Sequence, residues 1–206
     1  MAVIFNRYCN LKLSLSCLNS STLGLLLLSL FTGPLAGREA DTLVSTTAAV
    51  ESTEVSEPTQ KFLEVGRGEM DWLWFSLYKA KLMTLTGRYQ QGQYPLLLDI
   101  EYYRDIAAED LLEATRDQWQ HLQFSADDIA RWQGLLAATW PDVKPGDHLS
   151  FKVIDEQTSQ FFFNQQPLGV MHDANFAAAF LAIWLSKDTS RPSLRAQLLG
   201  EKSCDC

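Results

Sequence analysis

The chain has 206 residues, of which 47% are apolar and 20% charged, a composition typical of globular proteins rather than disordered ones. Its 25 acidic residues outnumber its 17 Lys and Arg, which gives a formal net charge of -8. Nucleic acid is therefore not expected as a partner, nor is anionic lipid bound through a basic patch, because both need a surplus of basic side chains.

The N-terminal segment has the layout of an export signal. Positive charges at Arg7 and Lys12 precede the apolar run Leu23–Phe31, and small residues follow it. This pattern predicts a signal peptide over residues 1–37, and hence a periplasmic or otherwise exported protein. An uncleaved membrane anchor stays open as an alternative. Residues 38–60 are rich in Ser, Thr and Glu without aromatic residues, which predicts a flexible linker.

The next segment, from Phe62 to Tyr103, is predicted to consist of strands. Phe62–Val65 predicts a short strand that leads into a turn at Gly66–Gly68. Trp72–Leu82, dense in aromatic residues, predicts one central strand. A polar turn at residues 87–92 precedes a further strand, Leu96–Tyr103. Side chains alternate along a strand, so one face of the last strand holds Leu96, Leu98, Ile100 and Tyr102.

Two amphipathic helices follow. Apolar residues from Ile106 to Leu122 recur at helical spacing and predict the first. Ser125, followed three residues later by Asp128, predicts an N-cap for the second. That helix is expected to include Trp140 and to end at Pro141, which cannot continue it.

Hairpins and two further helices complete the domain. Three further strands are predicted, with turn residues between them. In Leu149–Val153 apolar and polar residues alternate, and the strands Gln160–Phe163 and Leu168–Met171 are short. Asp173 is expected to cap a largely buried helix whose body is Phe176–Leu185. A last helix is predicted over residues 193–199, ended by glycine. Hairpins with segregated helices indicate an α+β fold with an antiparallel sheet, over residues 61–200.

The cysteines and histidines give no reason to expect a metal or a cofactor. The four cysteines are at positions 9, 17, 204 and 206, so residues 18–203 hold neither a disulfide framework nor a thiolate metal site. Residues 201–206 are predicted to be a frayed tail, with a redox or metal role for Cys204-Asp205-Cys206 as the alternative. His121, His148 and His172 lack metal-binding spacing.

Several ordered motifs resemble the chalcone isomerase-like family, and in particular its exported bacterial branch. These motifs are Gly66-Arg67-Gly68, Phe75–Leu82, Leu98–Ile106, Val143–Asp147, Phe163-Asn164, Leu168-Gly169, Asp173, Phe176, Ile183–Leu185 and Leu198–Gly200. The resemblance departs at Ser186, where that branch has the glycine of a Trp-Leu-Gly triplet. It implies a large antiparallel sheet with helices on one face and a ligand cleft between the two layers.

The resemblance implies that ring closure of a chalcone is not the activity. Arg67 matches the catalytic arginine of true chalcone isomerases. Tyr78 falls at their strand threonine, and Asp110 and Asp117 fall near their tyrosine and asparagine. Their late threonine falls near Ile183. The two acids, Asp110 and Asp117, would repel a phenolate substrate from the place where the isomerases have a tyrosine and an asparagine.

The fatty-acid-binding members of the superfamily use an arginine and a strand tyrosine, which Arg67 and Tyr78 match. A guanidinium and a phenol suit a carboxylate chemically. Tyr102 and Arg104 are further candidates at the mouth of the cleft. An acyl chain would need an apolar tunnel, which could be lined by Trp72, Trp74, Trp119, Trp132 and residues 176–185. The alternative is that these aromatic residues form the core.

Three hypotheses follow for the function. The first is a non-catalytic, exported protein that binds a small amphiphilic carboxylic acid, such as a fatty acid. The second is an isomerase or intramolecular lyase with altered site residues. The third is a scaffold of the cell envelope whose cleft is filled by side chains. The protein partner, the ligand and the oligomeric state do not follow from the sequence.

Overall fold

Strands come first in the fold, helices interrupt them once, and two helices end it. The structure, a computed structural model, describes residues 61–72 and 75–206, without the side chain of Trp72. Its elements are β1 (Leu63–Trp72), β2 (Phe75–Thr84), β3 (Leu96–Tyr102), α1 (Ala108–His121), α2 (Ala126–Ala137), β4 (His148–Val153), β5 (Thr158–Phe163), β6 (Gln166–His172), α3 (Ala174–Leu185) and α4 (Pro192–Leu198). The predicted signal peptide and linker, residues 1–60, lie outside the described residues.

The described strands form one antiparallel sheet in the order of the chain, β1 to β6. Loops without helices join neighbouring strands except between β3 and β4, where α1 and α2 intervene. The predicted α+β class with an antiparallel sheet is therefore confirmed.

The two faces of the sheet differ in chemistry because side chains alternate along each strand. On β3, Leu96, Leu98, Ile100 and Tyr102 are all buried beneath the helices, as predicted. We call this side the helix-covered face. The opposite side, the open face, carries partly buried or exposed polar residues. These residues are Arg67, Lys79, Lys81, Asp99, Glu101, His148 and Ser150.

The space between sheet and helices is filled by aromatic rings. Trp119 of α1 packs against Trp132 of α2 with 5.2 Å between ring centroids. Phe176 and Phe180 of α3 pack in turn on Phe151 of the sheet, at 5.9 and 4.7 Å. These five side chains are at most 2% exposed. Helix α3 is thus buried on most sides, as its apolar sequence predicts.

The predicted turn at Gly66–Gly68 is wrong, because these residues lie inside the continuous strand β1. The two glycines permit close packing of α4. A Cβ on Gly66 would lie 2.2 Å from the backbone oxygen of Gln197, and one on Gly68 would lie 2.7 Å from Leu194. The glycines therefore allow helix α4 to approach the strand, and no turn is needed to explain them.

The prediction of one strand over Trp72–Leu82 is also wrong. β1 ends at Trp72 and β2 begins at Phe75, and these two residues pair across the hairpin. Residues 73 and 74, which connect the strands, lie outside the described residues. Leu and Trp are not typical turn residues, so the sequence gives no signal for a hairpin there.

Helix ends agree with the capping predictions. The Ser125 hydroxyl accepts a hydrogen bond from the Asp128 backbone N–H at 3.1 Å, and Asp173 accepts from Asn175 and Phe176 at the start of α3. Two expectations differ from the structure. Ile106 pairs in an isolated bridge with Val143 before α1 begins. The second helix ends at Ala137, so Trp140 enters the core from the loop that follows.

Candidate functional site

Arg67 and Tyr78, the pair predicted to hold a carboxylate, do not come together. Gly66 and Gly68 face α4, so Arg67 between them points to the open face. Its side chain is 45% exposed, and its Nε donates to Glu64 at 2.6 Å. Tyr78 pairs with Met70 and faces the helices. The predicted clamp is therefore not formed, and a ligand contact of Arg67 by itself stays a prediction.

Two of the other predicted residues occupy different surroundings. Tyr102 is the cross-strand partner of Tyr78 and is buried, with 6.0 Å between the ring centroids in an edge-to-face arrangement. The structure thus brings these two tyrosines together. Arg104, by contrast, lies beyond the end of β3, exposed, with its guanidinium 5.4 Å from the centre of the Phe75 ring. It stabilises the β1–β2 hairpin beside its connection through a cation–π contact.

Tyr78 is held by the last turn of α3. The indole Nε1 of Trp184 donates to the Tyr78 hydroxyl at 3.0 Å. Burial raises the pKa of Tyr78 to about 12, against the opposing effects of the Trp184 hydrogen bond and of the positive charge on Arg191. The phenol therefore keeps its proton at neutral pH, and that proton is available for donation.

Arg191 is the functional candidate that sequence reasoning missed. It directly precedes Pro192, the first residue of α4, and it is partly buried. Its backbone N–H donates to Thr189 at 3.2 Å. Among residues 61–72 and 75–206, no carboxylate lies within ion-pair distance of its guanidinium. The sequence signal that could have found it is weak: an arginine before a proline at a helix start.

A groove of about 590 Å³ opens beside Arg191, between the edge strand β1, helix α4 and the C-terminal tail, residues 201–206. It is lined by Glu69, Met70, Asp71, Ser190, Arg191, Pro192, Ser193, Leu194, Gln197 and residues 202–206. Met70, which lines the groove, is the strand partner of Tyr78, and the positive charge of Arg191 lowers the pKa of that phenol against the larger effect of burial. The groove thus combines the basic side chains of Arg191 and Lys202 with acidic and apolar ones, the apolar ones being Met70, Pro192 and Leu194.

The C-terminal tail differs from the frayed end predicted for it. Cys204 and Cys206 are joined by a disulfide, with 5.2 Å between their Cα atoms. Both cysteines line the groove together with Lys202 and Asp205. The structure therefore gives this tail a covalent ring instead of a frayed end, and a redox or metal role for it stays a prediction.

The aromatic residues proposed for an acyl tunnel belong to the core instead. Trp119 and Trp132 are 0% and 1% exposed, and the Trp119 indole donates to the backbone oxygen of Ala179 at 3.0 Å. Trp72 and Trp74 lie where the structure describes no side chains. The part of the sheet–helix interface that is described here is closed by side chains.

On α1 and α3, the positions that match catalytic residues of the isomerases have side chains of different chemistry. Asp117 is buried on α1, with an oxygen 3.4 Å from Arg116. Ile183 is buried on α3, and its neighbour Trp184 fills the space beside Tyr78. Within the described parts of the chain, no three His, Cys, Asp or Glu side chains are grouped to hold a metal ion. No helix there is long and apolar enough to cross a membrane.

The fold and these positions define a protein of the chalcone isomerase-like class. The family model described as chalcone isomerase-like matches residues 73–200, and the chain belongs to this family. A Haemophilus influenzae protein, described only as uncharacterised, is 29% identical over 144 residues, covering 70% of this chain and 71% of that one. A solved fatty-acid binding protein from Arabidopsis thaliana is similar in fold, with a TM-score of 0.53 and 8% identity. That match covers 71% of this chain and 90% of the plant protein.

Proposed function

We propose that this protein is an exported, non-catalytic binder of a small amphiphilic carboxylic acid, such as a fatty acid. The observation that carries the proposal is the position of Arg191, a partly buried residue that lines the groove, whose positive charge acts on Tyr78 and which has no acidic partner among the described residues. A cation that is partly removed from water attracts an anion more strongly than one in bulk solvent. A ligand carboxylate would supply that anion.

The two side chains offer complementary donors. A guanidinium presents parallel N–H groups that match the two oxygens of a carboxylate. The Tyr78 oxygen already accepts from Trp184, so its own O–H can donate to the same ligand. Because the pKa of Tyr78 is raised to about 12, the phenol remains a donor throughout the physiological range. Trp184 thus positions the phenol for binding.

The groove provides a surface for the apolar part of the ligand. Met70, Pro192 and Leu194 line it near Arg191, while acidic residues Glu69 and Asp71 lie on the β1 side. The fold is shared with a plant protein named as a fatty-acid binding protein, which supports this class of ligand without identifying it. The part of the interior that the structure describes is packed with aromatic rings, so we place the acyl chain in the groove and not in a tunnel through the core.

Absence of catalysis is supported by the chemistry of Tyr78 and its neighbour. A general acid or base works best with a pKa near the operating pH, and a phenol with a pKa of about 12 is far from it. Trp184 also fills the space on α3 beside Tyr78. Tyr78 is therefore a poor candidate for the acid or base of the isomerase alternative.

A scaffold remains a second candidate, favoured by one observation. The rings of Trp119, Trp132 and Phe176 close the described sheet–helix interface, with 5.2 to 6.3 Å between their centroids. A filled cleft is what the scaffold hypothesis predicts. The two candidates differ in whether the groove at Arg191 binds an acid.

Binding is tested by displacement of a fluorescent fatty acid with a fatty acid and with the fatty alcohol of equal chain length. A charge-assisted hydrogen bond contributes about 1.5–3 kcal/mol, so the acid should displace the probe at a concentration at least about tenfold lower. Equal displacement by acid and alcohol would contradict carboxylate recognition. No binding of the probe at any concentration would favour the scaffold.

Export is a separate part of the proposal and rests on residues 1–37 alone. Fractionation of the host cell should recover the protein outside the cytoplasm. Recovery of the full-length chain from the cytoplasmic fraction would contradict it. Native mass spectrometry of the same preparation would show whether a ligand is retained, and its mass would indicate the chemical class.

A further inference from the structure

The two edges of the sheet differ in how they are protected from pairing with another chain. In the described sheet, β1 has only β2 as a neighbour and β6 has only β5. Strand β1 carries four charged side chains, those of Glu64, Arg67, Glu69 and Asp71, and α4 packs against its glycines. Charges on an edge strand oppose pairing with a further strand. By contrast, the stretch Gln166–Met171 of β6 has no charged residue.

The free part of the β6 edge is its second half. Pro167 has no N–H group to donate, and the register of β5 and β6 shifts beside it. From Gly169 to His172 each residue has a regular partner on β5. Residues of an antiparallel strand direct their N–H and C=O groups alternately to its two sides. Half of these groups therefore point away from β5, where the described residues supply no further strand.

Exposed apolar side chains flank this edge on both faces of the sheet. A Cβ on Gly169 would lie 3.4 Å from the Thr139 methyl group, so Gly169 faces the helices and its neighbour Val170 lies on the open face. Val170 is 47% exposed. On the helix side, Thr139 donates to the backbone oxygen of Leu135 at 2.8 Å, one turn earlier. Leu135 is 39% exposed and lies on the side of α2 that is close to β6.

We propose that this edge is an interface between two copies of the chain, in which β6 of each copy pairs antiparallel with β6 of the other around a two-fold axis at Val170. The axis is perpendicular to the sheet, so the helix layers of both copies lie on the same side. Pairing satisfies the outward backbone groups and joins two six-stranded sheets into one. Val170 of both copies meets on one face, and Leu135 of both copies is brought close on the other.

Charge and shape favour a second copy as the occupant of this edge. Each copy has a net charge of -8, so two copies repel each other most where their acidic residues meet. The uncharged stretch Gln166–Met171 allows contact without bringing like charges together. An extended peptide would pair with the backbone of β6 but has no second layer to cover Leu135. A second copy covers both faces.

Sedimentation of the protein purified from its host, over a concentration series, tests the interface. The wild type should be a dimer that dissociates on dilution. Val170→Lys places two like charges beside each other at the axis and should weaken the dimer by at least about tenfold. The matched control is Leu63→Lys, at a 43% exposed position of the opposite edge strand, and it should dimerise like the wild type. Circular dichroism checks that both variants are folded.

Hydrogen exchange of the wild type gives a second test that needs no variant. Exchange of the β6 amides should slow as the concentration rises, while exchange of the β1 amides should not change. A wild type that stays monomeric throughout the series overturns the inference. So does a dimer that Val170→Lys leaves intact, or β6 exchange that is independent of concentration, or a monomer that binds an unrelated protein along β6. None of these outcomes bears on the proposed function, because the groove at Arg191 lies beside β1, at the other edge of the sheet.

Discussion

The helix-covered face and the open face of the sheet are formed by the same strands, but different interactions stabilise them. On the helix-covered face, apolar and aromatic side chains are almost wholly removed from water, as at Leu98 and Phe151. On the open face, polar side chains pair across strands in partial contact with solvent. Asp99 there accepts from Ser150 at 2.7 Å and contacts His148 at 3.1 Å.

This difference explains why Arg67 and Arg191 differ as candidates for binding a ligand. Arg67, on the open face, already has Glu64 as a partner and is screened by water. Arg191, beside the helix-covered face, is partly buried and has no acidic partner among the described residues. A charge attracts an anion more strongly where solvent is excluded. The groove at Arg191 is therefore where we expect a ligand.

The largest expected effect is on stability, at Trp184. Its side chain is 8% exposed and packs on Phe180 with 5.2 Å between ring centroids. Trp184→Ala should lower the free energy of unfolding by about 3–5 kcal/mol, the range for a buried large aromatic residue. Denaturant unfolding measures it. The matched change on the open face, Arg67→Ala, should cost less than about 1 kcal/mol, since it breaks an exposed ion pair. Similar losses in the two variants would contradict the distinction between the faces.

Glycine variants test the packing of α4 on β1. Gly66→Ala places a methyl group against the backbone of Gln197, which cannot move without shifting the helix. We expect a loss of about 3 kcal/mol, the upper end for an overpacked site. The control is Gly134→Ala on α2, where a Cβ would meet nothing within 4 Å. That variant should gain about 0.5–1 kcal/mol because alanine favours helix. A stable Gly66→Ala protein would mean that α4 is not closely packed.

Alkaline titration tests the environment of Tyr78. Burial raises the pKa of this phenol from 10.0 to about 12 in the folded state. Between these values the unfolded chain loses the proton first, so stability falls as pH rises from 10 to 12. The wild type should lose about 2 kcal/mol more over this window than Tyr78→Phe. Burial and the Glu69 hydrogen bond also raise the pKa of Tyr103, but this contribution is present in both proteins and cancels. Equal losses in the two proteins would place Tyr78 in water.

Much of the fold is predictable because local patterns agree with the tertiary structure. The alternation in Leu96–Tyr102, the caps at Ser125 and Asp173, and the apolar body of α3 all follow from periodicity or hydrogen-bonding chemistry. The β1–β2 hairpin does not, since its connection lacks turn residues. The break in the strand goes with the antiparallel pairing of β1 with β2, which a local pattern does not contain.

The candidate site is less predictable because its parts are distant in sequence. Gly66-Arg67-Gly68 resembles a turn when read locally, but both glycines are required by α4, which forms near the end of the chain. That requirement fixes the direction of Arg67 away from Tyr78. The contact of Tyr78 with Trp184, and its proximity to Arg191, likewise depend on how α3 returns over the sheet. No spacing rule links residues so far apart.

The most direct test of the central claim compares the two arginines in one binding assay. A fluorescent fatty acid is titrated against the wild type, Arg191→Ala and Arg67→Ala, all in the oxidised form. The account predicts that Arg191→Ala weakens binding by about 1.5–3 kcal/mol, roughly tenfold or more, while Arg67→Ala binds like the wild type. Loss of binding in Arg67→Ala with full affinity in Arg191→Ala would contradict it and place the carboxylate on the open face.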